Sequence, residues 1–302
     1  MSIIVENITK EFGQQKALDN VSFRIDPGEV VGLLGPNGAG KSTMMKIITC
    51  FIPPTSGMVK VYDADIFEQS LEVRKRVGYL PENNPLYTDL YIKEYLEFVA
   101  GIYKVDNIKP RVEEMIDLTG LTPELGKKIG ALSKGFRQRV GLAQAMIHNP
   151  DVLILDEPTS GLDPNQLIDI RNLIREIGKE KTVMLSTHIM QEVEAVCDRV
   201  IIIDKGKIVA DDSTEKLSKG SLANQRFVAE FNKPVEKDQL LKIQGVDRVN
   251  KVNETTFELF SESTDIREDV FKFAVKHEVA VLSMQKAGKG IEEVFQQLTK
   301  KG

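Results

Sequence analysis

GPNGAGKST, residues 35–43, follows the apolar run VVGLL (30–34) and leads into TMMKIITCF (43–51), whose apolar positions recur at helical spacing. The stretch satisfies GxxxxGK[ST] in the strand-then-helix setting that this pattern requires. Its glycines let backbone N–H groups curl around phosphate oxygens, and the helix N-terminus adds the positive end of its dipole. Lys41 is placed to neutralise β and γ phosphates, and the Ser42 hydroxyl to reach Mg²⁺. A strand, a phosphate loop and a helix in succession predict an α/β core with a largely parallel sheet.

The surrounding chain repeats this pattern. VLILD (152–156), TVMLS (182–186) and RVIIID (199–204) are short apolar runs bounded by Gly, Pro, Asp or Ser, as buried parallel strands are. IIVENITK, VSFRID and GMVKVYD alternate more strictly and predict an antiparallel layer beside the sheet. Residues 89–147 carry helical periodicity without a strand and read as a helical insertion. Apolar periodicity fades over DSTEKLSKGSLAN (212–224), which places a domain boundary near 220. Beyond it the order strand, helix, strand, strand, helix, strand predicts a small α+β ferredoxin-like domain over 221–302, with an added helix in GIEEVFQQLT (290–299).

Composition sets outer limits. The 302 residues allow about two domains, and a net charge of −5 argues against a nucleic-acid binder that relies on a broad basic surface. MSIIVENITKEFG lacks a secretory n-region and cleavage pattern, and no apolar run is long enough to span a bilayer. Work at a membrane would therefore need a partner that supplies the spans. Cys50 and Cys197 match no metal or redox spacing and are read as inert thiols, which fits the cytoplasm.

Three further stretches carry chemistry. Asp156 and Glu157 end an apolar strand, where open α/β sheets place their ligands. A strand ending in solvated acids would look the same in isolation, but the phosphate loop upstream makes this a ligand-facing end. Asp156 suits Mg²⁺, and Glu157 suits a general base acting on water beside the γ-phosphate. His188 follows a third buried strand and is placed to contact the γ-phosphate and the water. His148 and His277 lack such a setting and read as ordinary helix or surface residues. In LSKGFRQR (132–139), Ser133 is expected to cap a helix starting near Lys134, with Phe136, Val140, Ala143 and Ile147 on its apolar face. A capping serine, Gly135 and a free helix N-terminus together make an anion site.

In order and spacing over residues 1 to about 215, these motifs resemble those of ABC transporter ATP-binding subunits. GPNGAGKST resembles Walker A, VLILDEP Walker B, SGLD (160–163) the D-loop, His188 the switch histidine, and LSKGFRQR the signature sequence. The resemblance implies a P-loop NTPase cassette in which ATP contacts Gly35, Pro36, Asn37, Gly38, Ala39, Gly40, Lys41, Ser42 and Thr43. It also implies roles for Asp156 and for Asp163, and stacking of adenine on Phe12, for which core packing is the alternative. It further implies two chains paired head to tail, each ATP lying between Lys41 of one copy and Ser133 and Gly135 of the other. An integral membrane permease would be the partner, with the chain peripheral on the inner face of the membrane.

Two positions depart from the family pattern. Lys134 and Phe136 replace residues of the usual LSGGQ, and Glu82 in GYLPENN stands where a glutamine is usual. A carboxylate there can still ligate Mg²⁺, so Ser42, Glu82 and Asp156 form the expected metal set. These departures and the C-terminal extension are similar to the branch serving ABC-2-type exporters. YLPENNPLYTDLYIKEYLEFVAGIY (79–103) is similar to gliding-motility-associated members. Pro85, Leu86 and Tyr87 would either meet a partner helix or pack within the insertion. The alternative functions are a non-transport switch acting on ribosomes or DNA, and a regulatory module without hydrolysis. The first usually carries two cassettes or a long coiled coil, and Glu157 with His188 argues against the second.

Overall fold

A computed structural model describes residues 1–218, 225–261, 265–287 and 295. The chain divides into two compact units, Met1–Asp212 and Ser213–Gly302. In the first unit, β1 (Ile3–Phe12), β2 (Gln15–Ile25), β4 (Ser56–Val61) and β5 (Ala64–Asp65) form an antiparallel sheet in the order β2-β1-β4-β5. The alternation read in the sequence holds: Ile3 and Val5 of β1 turn inward, as do Val59 and Val61 of β4.

The second sheet has the order β10-β9-β3-β8-β7-β6. Its members are β3 (Val30–Leu34), β6 (Val77–Leu80), β7 (Val152–Asp156), β8 (Thr182–Thr187), β9 (Arg199–Asp204) and β10 (Lys207–Ser213). β3 pairs in parallel with both β8 and β9, and β7 with both β6 and β8. β3, β7 and β8 are buried along their whole length, which is why they read as unbroken apolar runs. β6 was not anticipated: its four residues are too few to show a period.

Helix α1 (Lys41–Ile48) lies between the two sheets, and Met44, Met45, Ile47 and Ile48 join both into one core with Val31, Leu33, Ile154 and Met184. The axis of this helix therefore starts where the phosphate loop ends. On the other face, α6 (Pro164–Gly178) and α7 (Met190–Val196) pack against β8, and α7 also against β3. Among the described residues, α2 (Ser70–Arg76) adjoins β5 and β6. The insertion is built on three α-helices, α3 (Ile92–Ile102), α4 (Ile108–Leu118) and α5 (Lys134–Met146), packed on one another, with two single 3-10 turns between α4 and α5. Arg111 of α4 donates to the carbonyls of Met146 and Ile147 at 2.6 and 3.0 Å, and the Tyr95 hydroxyl of α3 lies 2.5 Å from Gln144 Oε1 of α5.

In the second unit a short helix, α8 (Thr214–Ser218), precedes β11 (Gln225–Phe231), α9 (Lys237–Leu240), β12 (Arg248–Lys251), β13 (Thr256–Ser261), α10 (Arg267–Lys276) and β14 (Val281–Ala287). The strand order β12-β13-β11-β14 with antiparallel neighbours is the ferredoxin-like arrangement. Phe227, Phe231, Phe257 and Phe273 fill its core. The helix expected over VEKDQLLKI shortens to the single turn of α9. The helix expected over 290–299 lies outside the described residues apart from Phe295.

Candidate functional site

The phosphate loop is shaped by backbone that only glycine tolerates. Gly40 caps α1 at φ +109°, and a Cβ there would sit 2.7 Å from the Ala17 carbonyl oxygen and 2.8 Å from Leu18. Lys41 opens α1 and is buried; its ammonium donates to the carbonyls of Gly35 at 2.8 Å and Pro36 at 3.3 Å. Ser42, next on the helix, donates its hydroxyl to Asp156 Oδ1 at 3.1 Å.

Register brings the other groups to this point. Leu34 pairs with Thr187, and Asp156 with Ser186, so β3, β7 and β8 end side by side. Glu157 leaves β7 at φ +49°, a left-handed conformation that is strained for a residue with a side chain. Its N–H donates to Ser186 Oγ at 3.0 Å, and Ser186 in turn donates to Asp156 Oδ1 at 2.6 Å. The Glu157 carboxylate lies 3.5 Å from Lys41 Nζ through Oε1 and 2.9 Å from His188 Nδ1 through Oε2. An ionised carboxylate can only accept, so the imidazole donates through Nδ1 and leaves Nε2 for another contact. Ser186 closes the apolar run TVMLS, and no local signal marks it as a serine that bridges two strands.

Lys41, Ser42, Glu157 and His188 line a cleft of about 630 Å³ with Asn37, Gly38, Gly40, Thr43 and Glu82, and Asp156 reaches it through its hydrogen bond to Ser42. Phe12 stands at the same cleft, 52% exposed, with Lys10 Nζ 5.0 Å from its ring centroid; it is not a packed core residue. A basic, hydroxyl-bearing and carboxylate-bearing cleft with an exposed aromatic ring at its side can hold a nucleoside triphosphate. Gly35, Pro36 and Ala39 of the same loop do not line the cleft, and a Cβ at Gly35 would sit 2.3 Å from the Ile203 carbonyl oxygen.

Ser133, Gly135 and Asp163 do not line this cleft. Ser133 caps α5, accepting from Phe136 N at 3.3 Å. Gly135 is covered by Gln166, whose Cδ would lie 2.6 Å from a Cβ there. Asp163 caps α6, accepting from Asn165 N and Gln166 N at 3.0 Å each. Lys134 Nζ occupies the space that a Cβ at Gly161 would need, so the signature stretch and SGLD adjoin within one chain.

A second groove of about 740 Å³ opens behind Ser42 and Asp156, lined by Phe51, Tyr79, Glu82, Pro85, Tyr103 and Gln144 among others. Glu82 lines both. The Tyr79 hydroxyl and the Asn84 amide are buried at this groove without protein hydrogen-bond partners. His148, read as an ordinary residue, lies under the groove, stacked on Tyr103 at 3.9 Å, and burial pushes its pKa down to about 4. Burial pushes the Cys50 and Cys197 thiols up, away from thiolate chemistry.

Comparison with known proteins agrees with this geometry. A family model described as ABC transporter matches residues 18–160. The bacitracin transport ATP-binding protein BcrA of Bacillus licheniformis is 35% identical over 240 residues, 78% of each chain. The linearmycin resistance ATP-binding protein LnrL of Bacillus subtilis is 32% identical over 97% of each chain, so that likeness includes the second unit. Among solved structures, a dimeric ATP-binding cassette in a post-hydrolysis state, bound to ADP and Pi, superposes with a TM-score of 0.64 at 28% identity, covering 70% of this chain and 98% of that one. The chain therefore belongs to the ATP-binding subunits of ABC transporters and carries their ATP-hydrolysing cassette.

Proposed function

We propose that this subunit powers an ABC-2-type exporter, hydrolysing ATP at sites shared by two cassettes paired head to tail. The observation that carries the reading is the meeting of Glu157 with Lys41 at 3.5 Å and His188 at 2.9 Å inside the phosphate-loop cleft. Glu157 takes a proton from water as the water oxygen attacks the γ-phosphorus; the bond to the bridging oxygen breaks, and ADP and phosphate leave. Lys41 balances charge on the transferring phosphoryl group, and His188 holds the Glu157 carboxylate in place through Nδ1. Ser133 and Gly135 of a second copy close the site from the other side, since their own cleft does not include them.

The donor set fits Mg²⁺. Ser42 Oγ and Asp156 Oδ1, 3.1 Å apart, are hard oxygens, and Glu82 stands near. This ion takes one or two protein oxygens and leaves the rest to water and phosphate, and no cluster of three or more His, Cys, Asp or Glu suited to a dedicated cage occurs among the described residues. When bound it would offset negative charge on the triphosphate.

Exporter type is supported by Glu82, Lys134 and Phe136, and by relatives named for bacitracin transport and linearmycin resistance. No helix among the described residues is long and apolar enough to cross a membrane, so an integral membrane permease supplies the path. We place it at the groove beside Glu82, where Phe51 is 72% exposed. The subunit would sit peripherally on the inner face of the membrane. Within the exporter branch, the likeness of residues 79–103 favours a gliding-motility system.

With saturating ATP and Mg²⁺, a Glu157→Gln protein should accumulate as an ATP-bound dimer in light scattering after gel filtration. A monomer under those conditions would overturn the shared-site scheme. Co-purification from membranes of a polytopic protein tests the permease, and the identity of that protein tests the motility assignment.

A further inference from the structure

Glu192 on α7 is 2% exposed and does not line the cleft. Burying a carboxylate costs several kcal/mol unless hydrogen bonds compensate, so an apolar residue would fill this position more cheaply. Both of its oxygens are engaged. Oε1 accepts from the Thr159 hydroxyl, and Oε2 accepts from the Thr187 hydroxyl at 2.5 Å. Arg171 of α6 places a guanidinium nitrogen 3.9 Å from Oε1.

The sequence positions of these partners give the cluster its meaning. Thr159 lies just past Glu157, and Thr187 immediately before His188. Thr187 Oγ1 also accepts from Ile189 N at 3.0 Å, closing the turn that carries His188. The loop after β7 and the end of β8 meet directly where Glu157 bonds His188, and Glu192 ties the same two segments a second time. One tether leaves a pivot, whereas two fix relative orientation. Arg171 adds a third segment, because α6 begins at the Asp163 cap that ends the loop from Thr159.

We infer that Glu192 is a positioning residue for hydrolysis: by bridging the Thr159 and Thr187 hydroxyls it holds the Glu157 loop and the His188 strand end in the register at which their side chains act together. This rests on Glu157 and His188 being the hydrolytic pair. Phosphate binding belongs to the loop between β3 and α1, so loss of the bridge should slow turnover without weakening nucleotide binding. Misplacement of reacting groups by about 1 Å costs on the order of 10²-fold in rate.

The test compares steady-state ATPase with binding of a fluorescent ATP analogue. Glu192→Ala should lower kcat by about 10- to 100-fold, with analogue Kd within about threefold of wild type. Glu192→Gln, whose amide can accept from Thr187 and donate to Thr159, should recover turnover to within a few-fold. A folded Glu192→Ala with wild-type kcat overturns the inference, as does an equal loss of binding and turnover. Should Glu192→Ala not fold, Thr159→Val and Thr187→Val each remove one tether; wild-type kcat in both would likewise overturn it. Glu157→Gln measured alongside separates the two assignments. If that variant keeps wild-type turnover, the choice of base fails; if it is dead while Glu192→Ala is normal, only the positioning role fails.

Discussion

Ser186 shows how one hydroxyl organises two carboxylates. It donates to Asp156 Oδ1 and accepts from the N–H of Glu157, so it orients the first carboxylate and supports the strained backbone that carries the second. Removing it leaves a buried N–H without a partner, which costs about 1–3 kcal/mol. Ser186→Ala should therefore lower kcat by roughly 10-fold, because Glu157 loses its backbone anchor, while ATP-analogue affinity changes by less than about threefold. Steady-state ATPase and fluorescence titration check both halves. The residue types at Lys41, Asp156, Glu157 and His188 were legible because each sits inside a contiguous motif. Ser186, Thr159 and Glu192 were not, because nothing local says which distant atom a hydroxyl or a buried carboxylate will meet.

At the scale of elements, the insertion is fastened to the core where α3 and α5 end. Tyr103 stacks on His148 with the rings 4° from parallel, and His148 Nε2 lies 3.2 Å from the Val77 carbonyl oxygen of β6. Burial, chiefly, holds the imidazole pKa near 4, below its ordinary 6.5, with Arg111 and Lys181 adding to the effect. As pH falls, the unfolded chain takes up this proton first. The contribution of neutral His148 is therefore complete above pH 6.5 and is lost progressively toward pH 4. Allowing for partial exposure, the loss is roughly 1–2 kcal/mol. His148→Phe keeps a stacking ring and cannot titrate, so its urea midpoint should fall less than that of the wild type between pH 7 and pH 5. Equal falls would show that His148 does not carry the pH dependence. The insertion itself was readable as helical periodicity over 89–147, but its fastening was not, since Tyr103, His148 and Val77 come from three separate elements.

For the whole molecule, the proposed sharing of an ATP site between two copies can be tested half by half. Lys41 is in the cleft, whereas Ser133 caps α5 outside it. In a head-to-tail pair, Lys41→Ala and Ser133→Arg are each inactive as homodimers, yet a mixed dimer retains one intact site. Equal mixing should restore about a quarter of wild-type ATPase, since about half of the dimers are mixed and each keeps one site of two. Absence of any recovery would show that sites are not shared in this way. The sequence by itself carried the phosphate-loop pattern, the acids and the histidine after apolar strands, and a change of pattern expected near 220, where the structure divides after Asp212. These follow from spacings of a few residues and from apolar periods that any α/β or ferredoxin-like packing must respect. Only the tertiary structure decided the strand order β10-β9-β3-β8-β7-β6, and with it every contact across β3, β7 and β8. Which strands become neighbours is set by burial of the whole sheet against α1 and against α6 and α7. The Ser186 bridge and the Glu192 tether exist because that global packing sets β7 beside β8.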